Sequence, residues 1–242
     1  MNRGTIFLLG GINDVWVVGR AWRRWLPTAG LPHRLELVRW QQGLWAALTF
    51  ADLWRTEHHR HVAASLAARI RAVQAAYPGE HVHVLAHSAG TAITAYALEQ
   101  LAPAEAITSA AFVGSGLSPG YDLSAALRRT RFGILSVESR LDAFFLGIGT
   151  RLLGTVDRQR SVAAGMVGFR PPSDPAVADK LVRVRWTPRF VRQGWLGGHI
   201  SIASPWFVRG TLAAWVRQAE ASVGGGETGG SGLRANTHSS IG

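Results

Sequence analysis

Short apolar runs alternate with helical segments along most of the chain, and this alternation constrains the fold more than any other feature of the sequence. Each run has the length of a buried strand and is bounded by glycine, proline or polar residues. The predicted strands are 5–9, 31–40, 81–86, 107–116, 132–137 and 181–186. The predicted helices are 14–26, ended by Pro27, and 51–77, 89–101 and 205–220. This succession predicts a mostly parallel sheet with helices on both faces.

The composition limits the classes of function. The chain of 242 residues is 47% hydrophobic and has no cysteine, which allows a sizeable core and excludes disulfides and thiolate metal sites. Its net charge is +11, and all but Lys180 of the 26 basic residues are arginine. These arginines are dispersed, so no nucleic-acid partner is expected, whereas clustering on one face would support contact with a membrane surface or another polyanion.

No apolar run reaches the ~18 residues that a membrane span needs. The short apolar run near the N-terminus is not followed by a small-residue cleavage site, so it does not read as a signal peptide. We therefore expect a cytoplasmic protein without a transmembrane segment. Contact with a membrane surface stays open, and the sequence does not indicate an oligomeric state.

Ser88 lies where the third predicted strand meets a helix, between the small residues Ala86 and Gly90. A serine in this position is typical of a nucleophile elbow, a turn so sharp that it strains the serine backbone and needs small neighbours. The helix that follows directs backbone N–H groups toward a developing oxyanion. The alternative is a serine that only tolerates a tight turn.

The chain resembles the α/β-hydrolase superfamily in three features. These are the stretch around Ser88, the LLGGIND loop at 8–14, and the order along the chain, in which an acid and then a histidine follow the serine. The resemblance covers residues 4 to about 220 and implies a compact α/β-hydrolase fold with a mostly parallel sheet of about six strands. The strand that begins at Thr5 would be the family's third. The expected domain is 1–222, followed by a disordered Gly/Ser-rich tail at 223–242.

The resemblance implies an acid just beyond the fifth strand. Asp142 is preferred, because it lies a few residues past the strand and precedes apolar residues. Glu138 is the reserve, and Asp122, after the fourth strand, is a second reserve. The alternative role for Asp142 is that of a helix N-cap.

The resemblance also implies a histidine in the loop after the last strand. His199 lies there, after two glycines, and is the only histidine between His87 and His238. Glycines allow the tight loop that brings an imidazole back over the end of the sheet. The alternative is an ordinary surface-loop histidine.

Two backbone N–H groups complete the implied site. Ala89, directly after the nucleophile, is the first predicted oxyanion donor. Ile12, in the glycine-containing loop after the first strand, is the second, with Gly11 as the reserve. Related hydrolases often have a histidine in this loop, where this chain has Gly10-Gly11-Ile12.

These residue types predict a serine hydrolase that cleaves carboxylic esters through an acyl-enzyme, with Ser88, Asp142 and His199 as the triad and no cofactor. A small-molecule ester is the expected substrate. Epoxide and haloalkane hydrolases that resemble this fold carry aspartate at the elbow, so those reactions are not expected. The alternatives are a catalytically silent binding protein of the same fold and a lipase or polyester hydrolase that acts at an interface.

Three other features have two interpretations each. Glu57, His58 and His61, within 55–61, could present metal ligands on one helix face, but a solvated face is favoured and no metal site is expected. The sequence of segment 144–169 is compatible with a lid or pocket wall, and also with a connecting helix and loop. Four tryptophans near the predicted active end read either as pocket lining or as core: Trp16, Trp40, Trp45 and Trp195.

Overall fold

A single parallel sheet of six strands forms the centre of the computed structural model, which describes residues 4–12, 17–41 and 55–224. The strand order is β2-β1-β3-β4-β5-β6, and every neighbouring pair is parallel. The strands are β1 (Gly4–Leu9), β2 (Arg34–Val38), β3 (His81–His87), β4 (Ile107–Val113), β5 (Thr130–Glu138) and β6 (Leu181–Arg185). The predicted fold class, a parallel sheet of about six strands with helices on both faces, is confirmed.

Helices connect the strands in the described part of the chain. The α-helices are α1 (Val18–Thr28), α2 (Thr56–Ala76), α3 (Gly90–Glu99), α4 (Ser124–Arg128), α5 (Thr150–Leu153), α6 (Ala164–Val167), α7 (Pro205–Phe207) and α8 (Ala213–Gly224). Two π-helical turns, Phe144–Gly149 and Val208–Leu212, lead into α5 and α8. Short 3-10 helices are Pro103–Glu105, Pro175–Lys180, Pro188–Gln193 and Ser201–Ala203. None of these helices is long and apolar enough to cross a bilayer.

The sheet divides the core into two apolar layers, because successive side chains of a strand point to opposite faces. In β1, Phe7 and Leu9 face the layer that contains residues of α2 and α3. Ile6 and Leu8 face the other layer, which contains residues of α1 and α8. Helices on both faces bury both sides of the sheet, as a wholly parallel sheet requires.

Several element boundaries differ from the sequence prediction. Pro27 lies inside the last turn of α1, which ends at Thr28. β4 ends at Val113 and not at residue 116, because Gly114 has a φ of 55° and turns the chain. α8 reaches Gly224 and so includes two residues of the predicted tail, whose remainder lies outside the described residues.

The carboxyl ends of all six strands meet at one edge of the sheet, since the strands are parallel. In open α/β sheets this is the edge that holds the functional site. Ser88 directly follows β3, and Asp142 and His199 follow β5 and β6 along the chain.

Candidate active site

Ser88 occupies a strained turn between β3 and α3. Its φ of 53° is in the left-handed region, which within the described residues only Ser88 and Arg158 adopt among non-glycine residues. The Ser88 N–H donates to the carbonyl of Val113 at 3.0 Å, and the Thr91 hydroxyl donates to the Ser88 carbonyl at 2.7 Å. These bonds hold the serine in a conformation that costs about 1–3 kcal/mol, as backbone strain at a functional turn does.

Small residues make this turn sterically feasible. A Cβ on Gly90 would lie 2.6 Å from the carbonyl oxygen of Gly10, so only glycine fits at this position. A Cβ on Gly11 would lie 2.9 Å from the Cβ of Ser88 and 3.3 Å from its Oγ. The loop after β1 therefore passes directly beside the serine side chain.

Asp142 and His199 form a close pair at the same edge of the sheet. Oδ2 of Asp142 lies 2.6 Å from Nδ1 of His199, and the Asp142 residue is only 5% exposed. A turn after β5, in which the Asp142 N–H donates to the Ser139 carbonyl, brings the carboxylate back over the sheet. On the histidine side, Gly197 has a φ of 85°, which lets the loop before His199 turn tightly.

The end of β4 connects the serine with the histidine. Ser88 donates to Val113, and the next residue, Gly114, lies so close to the His199 ring that an added Cβ would be 3.6 Å from Nδ1. The ring of His87, the residue before the serine, has its centroid 4.4 Å from that of His199. The structure thus joins Asp142 to His199 and places Ser88 and His199 at the same end of β4, and it adds His87 and Gly114, which the sequence analysis did not single out.

The two reserve acids have other partners. Glu138 is 2% exposed and accepts from Arg183 at 2.7 and 2.9 Å, with Arg185 Nε at 3.4 Å. Asp122 accepts from the hydroxyl and N–H groups of Ser124 and Ser173, and these hydrogen bonds hold the pKa of its carboxyl well below the usual range. Of the three acids, Asp142 alone contacts His199 in the described part of the chain.

The loop after β1 is anchored through its carbonyl groups. Trp40 Nε1 donates to the Gly10 carbonyl at 2.9 Å, and Gln41 Nε2 donates to the Gly11 carbonyl at 2.7 Å. Because the N–H and C=O of a trans peptide point in opposite directions, the Ile12 N–H is directed away from Gln41. No sequence signal indicated this role for Gln41, because the contact depends on how the chain returns after β2.

Ala89 and Ile12 are the two predicted oxyanion donors. Neither donates to a backbone carbonyl in the described ranges. Ala89 follows Ser88 and precedes the first turn of α3, whose axis directs its N-terminal dipole toward the serine. Two other residues of the predicted loop, Asn13 and Asp14, lie outside the described residues.

The segment 144–169 packs over the end of β4. Backbone bonds join Val156 to Gly116, Ala164 to Leu117 and Gly165 to Ser115. Gly165 fits so tightly that an added Cβ would lie 2.3 Å from the backbone of Gly114 and Ser115. Backbone bonds and close packing therefore hold this segment against the end of β4.

Ser115 and two of the four tryptophans near the predicted active end are buried. Ser115 is fully buried and shares a 2.8 Å hydrogen bond with Thr91. Trp40 and Trp195 are each 2% exposed and belong to the core, whereas Trp16 and Trp45 lie outside the described residues.

The segment 55–61 presents exposed side chains on one side and a buried histidine on the other. His59 is fully buried against Trp40, and His58 Nε2 lies 2.7 Å from the Trp40 carbonyl. Glu57 and His61 are exposed on the same helix. Two of these histidines thus support the residue that anchors the loop after β1.

Comparison with known proteins gives a family match and several similar folds. A family model described as alpha/beta hydrolase matches residues 24–131. A search of curated proteins found no match. Among solved structures, the chain is similar to a cutinase from Trichoderma reesei, with 16% identity, a TM-score of 0.45, and coverage of 90% of this chain and 76% of that one.

Two further solved structures are similar over most of their length. A cutinase-like protein from Cryptococcus sp. has 16% identity and a TM-score of 0.48, with coverage of 90% of this chain and 94% of that one. The catalytic core domain of an acetyl xylan esterase from Trichoderma reesei has 13% identity and a TM-score of 0.43, with coverage of 93% and 98%. The chain is thus similar to the alpha/beta hydrolase family over residues 24–131, and its sheet of six parallel strands with helices on both faces agrees with that similarity.

Proposed function

We propose that this chain is a serine hydrolase that cleaves carboxylic esters, with Ser88 as nucleophile, His199 as general base and acid, and Asp142 as the group that orients His199. The observation that carries the proposal is the 2.6 Å contact between Asp142 and His199, formed next to a serine held at a φ of 53°. A serine hydroxyl alone is a weak nucleophile and needs such a base.

In the first half of the reaction, Ser88 Oγ attacks the ester carbonyl carbon and its proton passes to His199 Nε2. Asp142, at Nδ1 of the same ring, fixes the tautomer and stabilises the imidazolium that forms. The tetrahedral intermediate then expels the alcohol oxygen, which takes the proton from His199. An acyl group remains on Ser88.

In the second half, a water molecule attacks the acyl carbonyl while His199 takes its proton. Collapse of the second tetrahedral intermediate releases the carboxylic acid and returns a proton to Ser88 Oγ. In both halves the oxyanion binds the N–H groups of Ala89 and Ile12, with Gly11 as the reserve donor. Each such donor contributes about 3 kcal/mol to the transition state in enzymes of this type.

The loop after β1 supports this assignment through its anchors. Gln41 holds the Gly11 carbonyl, and the peptide plane that this bond fixes carries the Ile12 N–H. A donor that is fixed before the substrate binds does not need to reorganise when charge develops. Gln41 is therefore a positioning residue in this proposal.

Hydrolysis of a p-nitrophenyl ester series from acetate to palmitate tests the function. Wild type is expected to turn over at least one ester, Ser88→Ala to lose this activity, and Ser115→Ala, the buried neighbouring serine, to keep it. The chain length that gives the highest kcat/KM reports the size of the acyl site. Failure of wild type to hydrolyse any ester or to react with a fluorophosphonate would contradict the proposal and favour a binding protein of the same fold.

One observation favours a second candidate, an ester hydrolase that acts at a lipid or polymer interface. Leu141, Leu196 and Ile200, which flank Asp142 and His199, are 55%, 63% and 53% exposed. The cationic residues Arg140 and Arg189 are also exposed nearby in the chain. Exposed apolar side chains near a site are typical of contact with another apolar phase.

A comparison of dissolved and emulsified substrate distinguishes the two candidates. An interface-acting enzyme hydrolyses emulsified esters faster than the same esters below their solubility limit, and Leu196→Asp removes this gain without a change in hydrolysis of the acetate ester. Equal rates in both phases for wild type and Leu196→Asp would leave the small-molecule esterase as the better description.

A further inference from the structure

A second cluster of imidazole and carboxylate groups lies toward the amino edge of the sheet. His33 directly precedes β2, His83 is the third residue of β3, and Glu220 lies in the second half of α8. Five residues of nearly extended chain separate His83 from Ser88, which is about 16 Å at ~3.3 Å per residue. The cluster is therefore distinct from the candidate active site.

The three side chains converge on one point. His33 Nε2 lies 2.6 Å from Glu220 Oε1, and His83 Nε2 lies 3.6 Å from the same oxygen. One ligand atom from each residue lies within 4.8 Å of the other two. In the ranges 4–12, 17–41 and 55–224, this is the only group of three histidine or acidic residues that meets this condition.

Among the described residues, no group lies within hydrogen-bond distance of the buried His83 Nε2, and Glu220 Oε1 is 3.6 Å away. His83 is fully buried, and its other ring nitrogen, Nδ1, lies 2.8 Å from Ser109 Oγ. An unsatisfied buried nitrogen costs about 1–3 kcal/mol. A metal ion bound at Nε2 would explain this arrangement. Metal-bound histidines use their other ring nitrogen for an orienting hydrogen bond, as His83 Nδ1 does with Ser109.

The hydrogen bond to Ser109 suits a metal-binding His83. In the tautomer whose Nδ1–H donates to Ser109, the lone pair is on Nε2, the atom that lies 3.6 Å from Glu220 Oε1.

We propose that His33, His83 and Glu220 bind one zinc ion, with a water molecule as the fourth ligand. Two imidazoles and one carboxylate are a donor set that Zn²⁺ accepts, and bonds of about 2.0–2.1 Å in a tetrahedron place ligand atoms about 3.3 Å apart. The contact of His83 with Glu220 is close to that value. The contact of His33 with Glu220 needs to open by about 0.7 Å from its 2.6 Å.

The site is buried on its histidine side and partly exposed on its carboxylate side, so an ion can enter from solvent. The side chains of His33 and His83 are fully buried, whereas the Glu220 side chain is 13% exposed. The carboxylate edge is thus the side from which zinc and the fourth ligand approach. One carboxylate also leaves a divalent ion with only one uncompensated charge.

A zinc ion at this site would connect three parts of the chain that are far apart in sequence. The segment before β2, the central strand β3 and the last helix α8 would share one ligand sphere. Because the unfolded chain does not present these ligands together, binding stabilises the folded state. The expected role is structural, since the site is remote from Ser88.

Isothermal titration of the full-length, EDTA-treated protein without an affinity tag tests the proposal. ZnCl₂ is the titrant, and MgCl₂ is the hard-cation control, which should not bind. Wild type is expected to bind one Zn²⁺ per chain. Glu220→Gln and His33→Gln keep hydrogen-bonding shape and should each weaken binding at least about 100-fold, the upper end of the loss that an outer-shell change causes. His61→Gln, which removes an exposed histidine on α2, should bind as wild type does.

Thermal unfolding with and without zinc separates a metal site from a hydrogen-bonded pair. At a zinc concentration 100 times Kd, the unfolding equilibrium constant of wild type and His61→Gln should fall about 100-fold. In Glu220→Gln and His33→Gln the same zinc concentration should change this constant by no more than about twofold. If the cluster is only a hydrogen-bonded pair, both variants lose the same stability in EDTA and in zinc, and wild type does not respond to the metal.

A cobalt spectrum of wild type covers the case in which the variants do not fold. Co²⁺ bound by two histidines, a carboxylate and water in a tetrahedron gives strong visible absorption that Zn²⁺ displaces. Absence of stoichiometric zinc binding, equal binding by Glu220→Gln, or only the weak spectrum of hydrated Co²⁺ would each overturn the proposal.

Discussion

Each end of the sheet holds a histidine paired with a carboxylate at the same distance. At the carboxyl end, His199 Nδ1 lies 2.6 Å from Asp142, and at the amino end, His33 Nε2 lies 2.6 Å from Glu220. The difference is the third group. Beside the first pair is Ser88 in a strained turn, and beside the second is the buried imidazole of His83.

A histidine and a carboxylate do not by themselves define a catalytic site. In the proposed mechanism the pair at the carboxyl end acts with the Ser88 hydroxyl and with N–H donors at the start of α3 to transfer protons during a reaction at a carbonyl group. The pair at the amino end is supplied with a second nitrogen and has the composition of a cation site. The comparison predicts that equivalent changes at the two ends have very different effects on ester hydrolysis.

The largest contrast is expected between Asp142→Asn and Glu220→Gln. Asp142→Asn favours the wrong tautomer of His199, so kcat/KM for a p-nitrophenyl ester should fall by about four orders of magnitude while the fold is kept. Glu220→Gln changes the matched carboxylate at the other end and should leave kcat/KM within about twofold, because this pair does not act in the reaction. Equal losses in the two variants would contradict the division of roles.

Gln41→Ala should lower ester hydrolysis by an intermediate amount and should leave zinc binding at the amino end of the sheet unchanged. Loss of the bond to the Gly11 carbonyl frees the peptide that carries the Ile12 N–H. Since removal of an oxyanion donor costs about 10²–10³ in kcat, loss of its anchor should cost roughly tenfold in kcat with little change in KM.

A second glutamine provides the control for Gln41→Ala. Gln74 also donates to two backbone carbonyl groups, those of Glu105 and Ala106, but it lies near the C-terminal end of α2, away from Ser88. Gln74→Ala should leave kcat unchanged. A rise in KM alone for Gln41→Ala would show that the residue serves substrate binding and not the oxyanion.

The smallest effects on activity are expected for the two acids that do not contact His199. Glu138→Gln should keep kcat/KM within about threefold but lower the free energy of unfolding by about 2 kcal/mol, because Arg183 loses charged hydrogen bonds. Chemical denaturation measures this loss.

Asp122→Asn should also keep activity, and its effect on stability should depend on pH. The folded pKa of Asp122 is depressed, so the carboxylate contributes stability above the pKa of the unfolded chain and loses it as the pH falls through the folded pKa. Wild type and Asp122→Asn should therefore converge in stability in acid. A large loss of ester hydrolysis in either acid variant would mean that Asp142 is not the acid of the site.

The fold class and the position of the serine turn could be predicted because they depend on local sequence patterns. The alternation of strands and helices and the serine between β3 and α3 are visible within a few residues of each other, and the fold they imply is confirmed. The sequence favoured Asp142 over Glu138 only by its place a few residues past the strand, and no local pattern shows which of the two acids meets the histidine. The outcome depends on the arginines of β6, which reach Glu138 and leave Asp142 to the histidine.

Contacts between distant parts of the chain were beyond prediction for the same reason. Gln41 meets Gly11 after the chain has made α1 and β2, and His33 meets Glu220 across 187 residues. Neither contact has a periodicity or a spacing that marks it. The sequence analysis did not single out His83, and its convergence with His33 and Glu220 appears only in the folded chain.

The most direct test of the central claim, that Ser88 is the nucleophile, is to locate the adduct of a fluorophosphonate on the intact protein. Mass spectrometry of the labelled chain and of its peptides should show one adduct, on Ser88, in wild type and in Ser115→Ala. Ser88→Ala should take up no label, and Asp142→Asn should label much more slowly. An adduct on another residue, or an unlabelled wild type that is folded, would contradict the account.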